Sequence, residues 1–207
     1  MTVEHVLLDA DGVLQRSAPD PVGLLSAWAG ERAEELAHAL WRAERGPLRG
    51  EGDFVEALER IVPAYADVAP GELYDALWRD IAVSEESLAL AGRLREAGLG
   101  VHLGTNQHRQ RAELMRTELG YDEHFDVSCY SWELGTKKPE PAYFEIAVER
   151  IGAAPAQVLF VDDVAANVEA ARAVGLHAVH WHLDEGHDVL LEALAGHGLP
   201  LGEAGAA

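Results

Sequence analysis

A short apolar run, Val6-Leu7-Leu8, stops abruptly at Asp9-Ala10-Asp11-Gly12, and no other stretch constrains the fold so closely. An unbroken apolar run of this length reads as a strand buried on both faces of a parallel sheet. If the chain stays extended past Leu8, Asp9 and Asp11 stand at i and i+2 and point to one side. Gly12 then permits a sharp turn or the close approach of a ligand. Two carboxylates at a buried strand end are costly unless a cation, a proton or a hydrogen-bond donor compensates them. The rest of the chain has to supply that partner.

Two kinds of pattern follow. After a polar linker at 15–20, residues 21–83 carry apolar residues at helical spacing: Leu24, Leu25 and Trp28; Leu36, Leu40 and Trp41; Phe54, Leu58, Ile61 and Val62; Leu73, Leu77, Trp78 and Ile81. Glycines and prolines separate these groups, and no strand is predicted among them. About four helices inserted straight after the first strand read as a cap on an α/β core. From Ser84 the pattern becomes strand alternating with helix. Strands are predicted at 99–103, 125–129, 158–161 and 178–181, and helices at 84–97, 109–119, 141–151, 167–174 and 188–195. The fold class is therefore α/β, with a parallel sheet between helical layers, right-handed crossovers and an inserted helical cap. The expected division is a core of residues 1–15 and 84–207 with a cap of 16–83. Ligands of such sheets bind at the carboxyl ends of the strands. Three predicted strands end there in Asp9 and Asp11, in Thr105-Asn106, and in Asp162-Asp163.

Four clustered carboxylates cannot all stay ionised without a cation. Oxygen ligands suit a hard cation, and Mg²⁺ is the usual one beside phosphate. One carboxylate can attack as a nucleophile, and a second can move a proton to a leaving group and then from water. A lysine of Lys137-Lys138-Pro139, in the loop after the third strand, can reach the strand ends and neutralise charge. The formal net charge of the 207 residues is -20. That excludes nucleic acid and anionic membranes as expected partners. It also requires a local cation for any anionic substrate.

These motifs resemble the haloacid dehalogenase-like (HAD) hydrolase superfamily, in its subfamily with an α-helical cap between the first and second motifs. The four stretches appear in order: Asp9-Ala10-Asp11-Gly12-Val13-Leu14, then Thr105-Asn106, then Gly135-Thr136-Lys137-Lys138-Pro139-Glu140-Pro141, then Asp162-Asp163 with Asn167. A lone Asp-x-Asp-Gly is weak, but four motifs in order at strand ends are specific. Phe125-Asp126 through Ser131, Lys138-Pro139 and Gly175, with Glu44, Gly46 and Phe54 in the cap, resemble the branch of sugar-phosphate phosphatases and the N-terminal domain of bifunctional epoxide hydrolases. The resemblance implies a Rossmann-like three-layer core and a Mg²⁺-dependent phosphomonoester hydrolase acting on a small phosphorylated metabolite, a sugar phosphate foremost.

It also implies roles. Asp9 is the nucleophile that forms an aspartyl-phosphate. Asp11 is the general acid and base, and its backbone carbonyl ligates the metal. Thr105, Asn106 and Lys138 hold the phosphoryl group; Lys138 is chosen over Lys137 because the family lysine directly precedes this proline. Asp9, Asp11, Asp163 and Asp162 surround Mg²⁺, with Asn167 behind them where relatives often carry Asp. Dehalogenases of the superfamily lack the second Asp, because a halide needs no proton on leaving, so Asp11 points to phosphoryl transfer. It does not separate a phosphatase from a β-phosphoglucomutase-like phosphotransferase, and a binding module without turnover is a third reading. Asp9 is expected to be ionised for attack and Asp11 to begin protonated.

Other residues have plainer readings. Taken singly, Asp9-x-Asp11 is a solvated turn, Thr105-Asn106 and Asp162-Asp163 are helix caps, and the lysines belong to a solvated loop. His177, His180, His182 and His187 read as a polar strand edge rather than a metal cluster. Trp28, Trp41 and Trp78 are expected in the cap core. Arg16, Arg42, Arg45 and Arg49 are expected mostly as solvated cap charges, with one of them a candidate to select substrate and Arg109 a somewhat better one. The single cysteine, Cys129, reads as buried, and one cysteine forms no internal disulfide. With no basic n-region and apolar h-region at the start, and no membrane-length apolar run, a cytoplasmic location is expected. The tail 202–207 is expected to fray, and the segments 15–20 and 82–85 to act as cap hinges. Oligomeric state is not encoded in any of these features.

Overall fold

The computed structural model describes residues 2–18 and 20–199; the tail expected to fray lies outside them. The chain opens with β1 (His5–Leu8) and β2 (Gln15–Arg16), then α1 (Pro21–Ala29), α2 (Ala33–Glu44), α3 (Phe54–Ile61) and α4 (Pro70–Tyr74). It continues with β3 (Ala82–Val83), α5 (Glu85–Glu96), β4 (Gly100–Thr105), α6 (Arg109–Thr117), α7 (Tyr121–His124), β5 (Val127–Tyr130) and α8 (Ser131–Leu134). It closes with α9 (Pro141–Ile151), β6 (Val158–Asp162), α10 (Ala165–Ala173), β7 (His177–His180) and α11 (His187–Gly196).

Five strands form one parallel sheet in the order β5-β4-β1-β6-β7. β1 is central because its residues are apolar on both faces. Val6 and Leu8 pack with Val101, Leu103, Leu159 and Val161 on one side, while Leu7 packs with Val158, Phe160, Cys129 and Phe144 on the other. Chain order reverses at β1, with β4 on one flank and β6 on the other. The crevice at its carboxyl end is therefore where such a sheet binds ligands. Ser84 starts α5 as predicted, its hydroxyl accepting the Ser87 N–H.

Helices α1 to α4 enclose a separate apolar cluster built from Leu25, Leu36, Leu40, Phe54, Leu58, Val62, Leu73 and Tyr74. Trp28 and Trp78 pack against it, but Trp41 does not: it is 60% exposed. Helical spacing placed Trp41 in that core, yet it stands on the side of α2 that faces the crevice. The segments that enter and leave this helical block pair with each other, Gln15 opposite Val83 and Arg16 opposite Ala82, as an antiparallel pair. Strands of two residues carry no periodicity, so the sequence pattern does not show them. The same holds for the four-residue α7 and α8. β5 starts at Val127 rather than Phe125 because the Asp126 carboxylate is turned onto the Val101 N–H (2.9 Å) and Arg95 (2.8 Å).

His177, His180, His182 and His187 do not converge. His180 meets the Asp163 carbonyl (2.8 Å), His182 accepts the Asp184 N–H (3.0 Å), and His187 lies 2.9 Å from the Ser87 hydroxyl. His177 stacks edge-on against His197.

At the amino end of the sheet, His102 is buried against His5, Nε2 to Nδ1 at 3.1 Å, and its own Nδ1 has no protein partner. Burial, reinforced by His5, lowers its pKa to about 4. The unfolded chain takes up this proton near pH 6.5 and the folded one only near pH 4. Stability from His102 is thus complete above pH 6.5 and is lost as pH falls toward 4. Between pH 7 and pH 5 the loss amounts to about 2 kcal/mol. Urea unfolding at the two pH values should show a larger drop for the native protein than for His102→Gln; equal drops would count against this origin.

Candidate active site

β1 ends by handing its last hydrogen bond to the loop: the Asp9 N–H donates to the Val161 carbonyl at 3.0 Å. The chain then turns around the Ala10 carbonyl, which accepts the N–H groups of Val13, Leu14 and Gln15. Gly12 has φ +80°, and a Cβ there would lie 2.6 Å from the Asp163 carboxyl carbon. Glycine is required both for that backbone conformation and for Asp163 to stand beside the first motif.

Lys138 is 1% exposed and bridges two carboxylates. Its Nζ lies 2.7 Å from Asp9 Oδ1 and 2.7 Å from Asp162 Oδ2, and it also donates to the Gly104 carbonyl at 2.8 Å. Lys137 is half-exposed and reaches only the Lys138 carbonyl. Asn106 holds the Lys138 loop in place: its amide donates to the Lys138 carbonyl (3.0 Å) and accepts the Lys138 N–H (2.9 Å). Asp162 accepts from the Val164 N–H (2.8 Å) and from Asn167 Nδ2 at both oxygens (2.9 and 3.1 Å). The Thr105 hydroxyl is buried next to Gln107 at 3.1 Å.

Asp11 belongs to a network that the sequence motifs did not reveal. Arg111 grips it with both guanidinium nitrogens, 2.6 Å to Oδ2 and 2.9 Å to Oδ1. Gln107 (2.8 Å), Gln15 (3.0 Å) and Ser17 (2.8 Å) donate to the same carboxylate. The signal lay in the spacing. Arg111 stands on the face of α6 that also carries Ala112 and Met115 inward, and Gln107 lies four residues before it, just ahead of the His108 cap of that helix. In the run Arg109-Gln110-Arg111 the arginines look alike, and only the helix phase separates them. Arg109 does not line the cavity and pairs with Asp53 of the helical block (2.9 Å).

The charge states differ from those expected. Burial pushes the Asp9 carboxyl well above the usual carboxylate range, Lys138 opposes this, and Asp162 adds to it. Burial also acts against an ionised Asp11, but the Arg111 fork outweighs it and holds that carboxyl well below the usual range. In this arrangement Asp11 is the firmly ionised member, where a protonated start was expected. The reason is Arg111. Burial and Asp162 raise Asp163, while Asp9 and Asp162 outweigh burial to keep Lys138 charged.

Asp9, Asp162 and Asp163 each place an oxygen within 4.8 Å of the others. Three carboxylates against the one Lys138 ammonium leave about two negative charges, which a single divalent cation balances. The donors are all oxygen, as Mg²⁺ prefers. The residues present therefore fit the cation that the sequence implies.

The helical block is seated over this crevice. Trp78 gives its carbonyl to Arg111 Nε (2.8 Å), and Gln110 donates to Asp53 (2.6 Å). Arg79 bonds Glu118 (3.0 Å), and Arg49 pairs with Glu140. Gly50 approaches the Trp132 carbonyl so closely that a Cβ would lie 2.5 Å from it. Between block and sheet a cavity of about 400 Å³ opens onto Asp11, Asn106 and Arg111.

The family model for haloacid dehalogenase-like hydrolases matches residues 3–175. A phosphoglycolate phosphatase of Xanthomonas campestris pv. campestris is 30% identical over 183 residues, covering 84% of this chain and 80% of that one. A phosphoserine phosphatase of Thermus thermophilus is 31% identical over 169 residues, covering 73% of this chain and 66% of that one. Among solved structures, a HAD family enzyme from Bacteroides thetaiotaomicron superposes with a TM-score of 0.79 at 20% identity, covering 92% of this chain and 99% of that one.

Proposed function

Because the chain belongs to the haloacid dehalogenase-like hydrolases, we propose that it is a Mg²⁺-dependent phosphomonoesterase acting on a small phosphorylated metabolite. The observation that carries this reading is the pairing of Asp9 with Lys138 at 2.7 Å, beside a second acid, Asp11, held within the same crevice. Asp9 attacks phosphorus while the bond from phosphorus to the alcohol oxygen breaks, and Asp11 gives that oxygen its proton. Water then attacks the aspartyl-phosphate, Asp11 takes a proton from it, and the bond from phosphorus to Asp9 breaks to release phosphate. The Arg111 fork seen here suits the second half, in which Asp11 is the base; in the first half Asp11 carries a proton. Lys138 and the Thr105 hydroxyl would hold phosphoryl oxygens, with Asn106 fixing the lysine loop.

Asp9, the Asp11 carbonyl, Asp163 and Asp162 would hold Mg²⁺, which screens the carboxylates and draws charge from the phosphoryl oxygens when bound. Asn167 orients Asp162. Residues 16–83 serve as the cap, hinged at the β2–β3 pair, and exclude water during the first step. No helix among the described residues is long and apolar enough to cross a membrane, and the lone buried Cys129 is compatible with the reducing cytoplasm proposed as its location.

Phosphate release over a panel of metabolites, sugar phosphates included, tests the reading. Stripping divalent ions with EDTA should lower the rate at least about a hundredfold, and added Mg²⁺ should restore it. Undiminished turnover after chelation would rule out this mechanism. Turnover only with a bisphosphate primer, giving an isomer instead of phosphate, would assign the phosphotransferase reading.

A further inference from the structure

We infer that the alcohol released is largely apolar, aromatic or branched-chain, rather than a polyol; this rests on the phosphomonoesterase reading. The cavity of about 400 Å³ above Asp11 is the place for the leaving group, and it is large enough for a small organic ligand. Its walls are Leu25, Leu40, Leu48, Leu77, Trp41 and Trp78. Its polar members are nearly all spent on one another. Arg111, Gln107 and Ser17 donate to Asp11. Asn106 is bonded twice to the Lys138 backbone. The Trp78 indole N–H donates to Glu44 at 3.0 Å.

A sugar brought under the cap would exchange water for this wall. Each hydroxyl left without a partner costs about tenfold in affinity. An apolar body meets no such penalty and gains by burial. The Trp41 ring, 60% exposed at the cavity and stacked on the Arg45 guanidinium (3.8 Å to the ring centroid), is a ready flat surface for it. The Glu44 carboxylate is the polar group still turned to the cavity, and burial raises its pKa above the usual range. One hydrogen-bond donor on the substrate would satisfy it.

The test compares primary alkyl esters of similar intrinsic reactivity. With Mg²⁺, the purified protein should release phosphate from benzyl phosphate and 3-methylbutyl phosphate with kcat/KM at least about tenfold above glucose 6-phosphate and glycerol 3-phosphate. Trp41→Gln and Leu48→Gln should each shrink that ratio at least about threefold; Trp41 is exposed, so its variant keeps the fold even if the other does not. Equal or better use of the sugar phosphates, or a ratio untouched by both variants, would overturn the inference. Acetyl phosphate separates the two levels. If it is hydrolysed while the apolar esters are not, the substrate class is wrong and the phosphatase reading stands. If neither acetyl phosphate nor any ester is hydrolysed, both fall.

Discussion

Lys138→Met should lower stability by about 3–5 kcal/mol and abolish turnover. Lys138 is the one ammonium between Asp9 and Asp162, all three buried. Methionine fills most of the stem's volume, so the packing loss is small and the charge dominates. Without Nζ, two largely buried carboxylates face each other with no cation between them. Asp162 keeps its bonds from Asn167 and the Val164 N–H, but Asp9 keeps only the Ala10 N–H. For a chain of this size the loss corresponds to a melting temperature roughly 10 °C lower. The deficit should shrink in mild acid, because Asp9, already raised by burial, then takes a proton and no longer needs a cation. It should also shrink with Mg²⁺, which would supply charge to the same oxygens. Thermal melts of both proteins in EDTA and in Mg²⁺, at pH 7.5 and 5.5, check this. A variant that melts with the native protein in EDTA would show that the bridge adds nothing to stability.

Much of the core was legible because its signals are local. Val6-Leu7-Leu8 before Asp9, Ser84 before α5, and Pro141 and Gly152 at the two ends of α9 each follow from two or three neighbouring residues. The strand-end acids were legible for a related reason: a carboxylate beside a buried strand needs a partner, and Lys137-Lys138 offered one, though only the family resemblance separated the two lysines. What stayed hidden depends on helix phase or on distant segments. Arg111 reaches Asp11 across 100 positions, and nothing in Arg109-Gln110-Arg111 marks which arginine turns inward. With Arg111 in place, the arrangement favours the ionised Asp11 of the second half-reaction over the protonated one expected at the start. Trp41 shares its spacing with the buried face of α2, but the crevice rather than the cap core lies against it. The β2–β3 pair joins residues 15 and 83, each in a stretch too short to show alternation.

Asp9→Asn should lower phosphate release at least about a thousandfold while the fold persists. An amide is a far weaker nucleophile than a carboxylate toward phosphorus. The substitution also removes a buried charge that burial and Asp162 already disfavour, and Lys138 retains Asp162 as its partner. The melting temperature in EDTA should therefore hold steady or rise, in contrast to Lys138→Met. Asp11→Asn should behave differently again. It leaves Asp9 able to attack, so a donor whose leaving group needs no proton, such as acetyl phosphate, still transfers its phosphoryl group. Hydrolysis then lacks its base, and the acyl-phosphate accumulates. Intact-protein mass spectrometry in acid should show one added phosphoryl group on Asp11→Asn, none on Asp9→Asn, and little on the native protein at steady state. A phosphoryl adduct that persists in Asp9→Asn would place the nucleophile elsewhere, and equal turnover of acetyl phosphate by Asp11→Asn and the native protein would remove Asp11 from the second step.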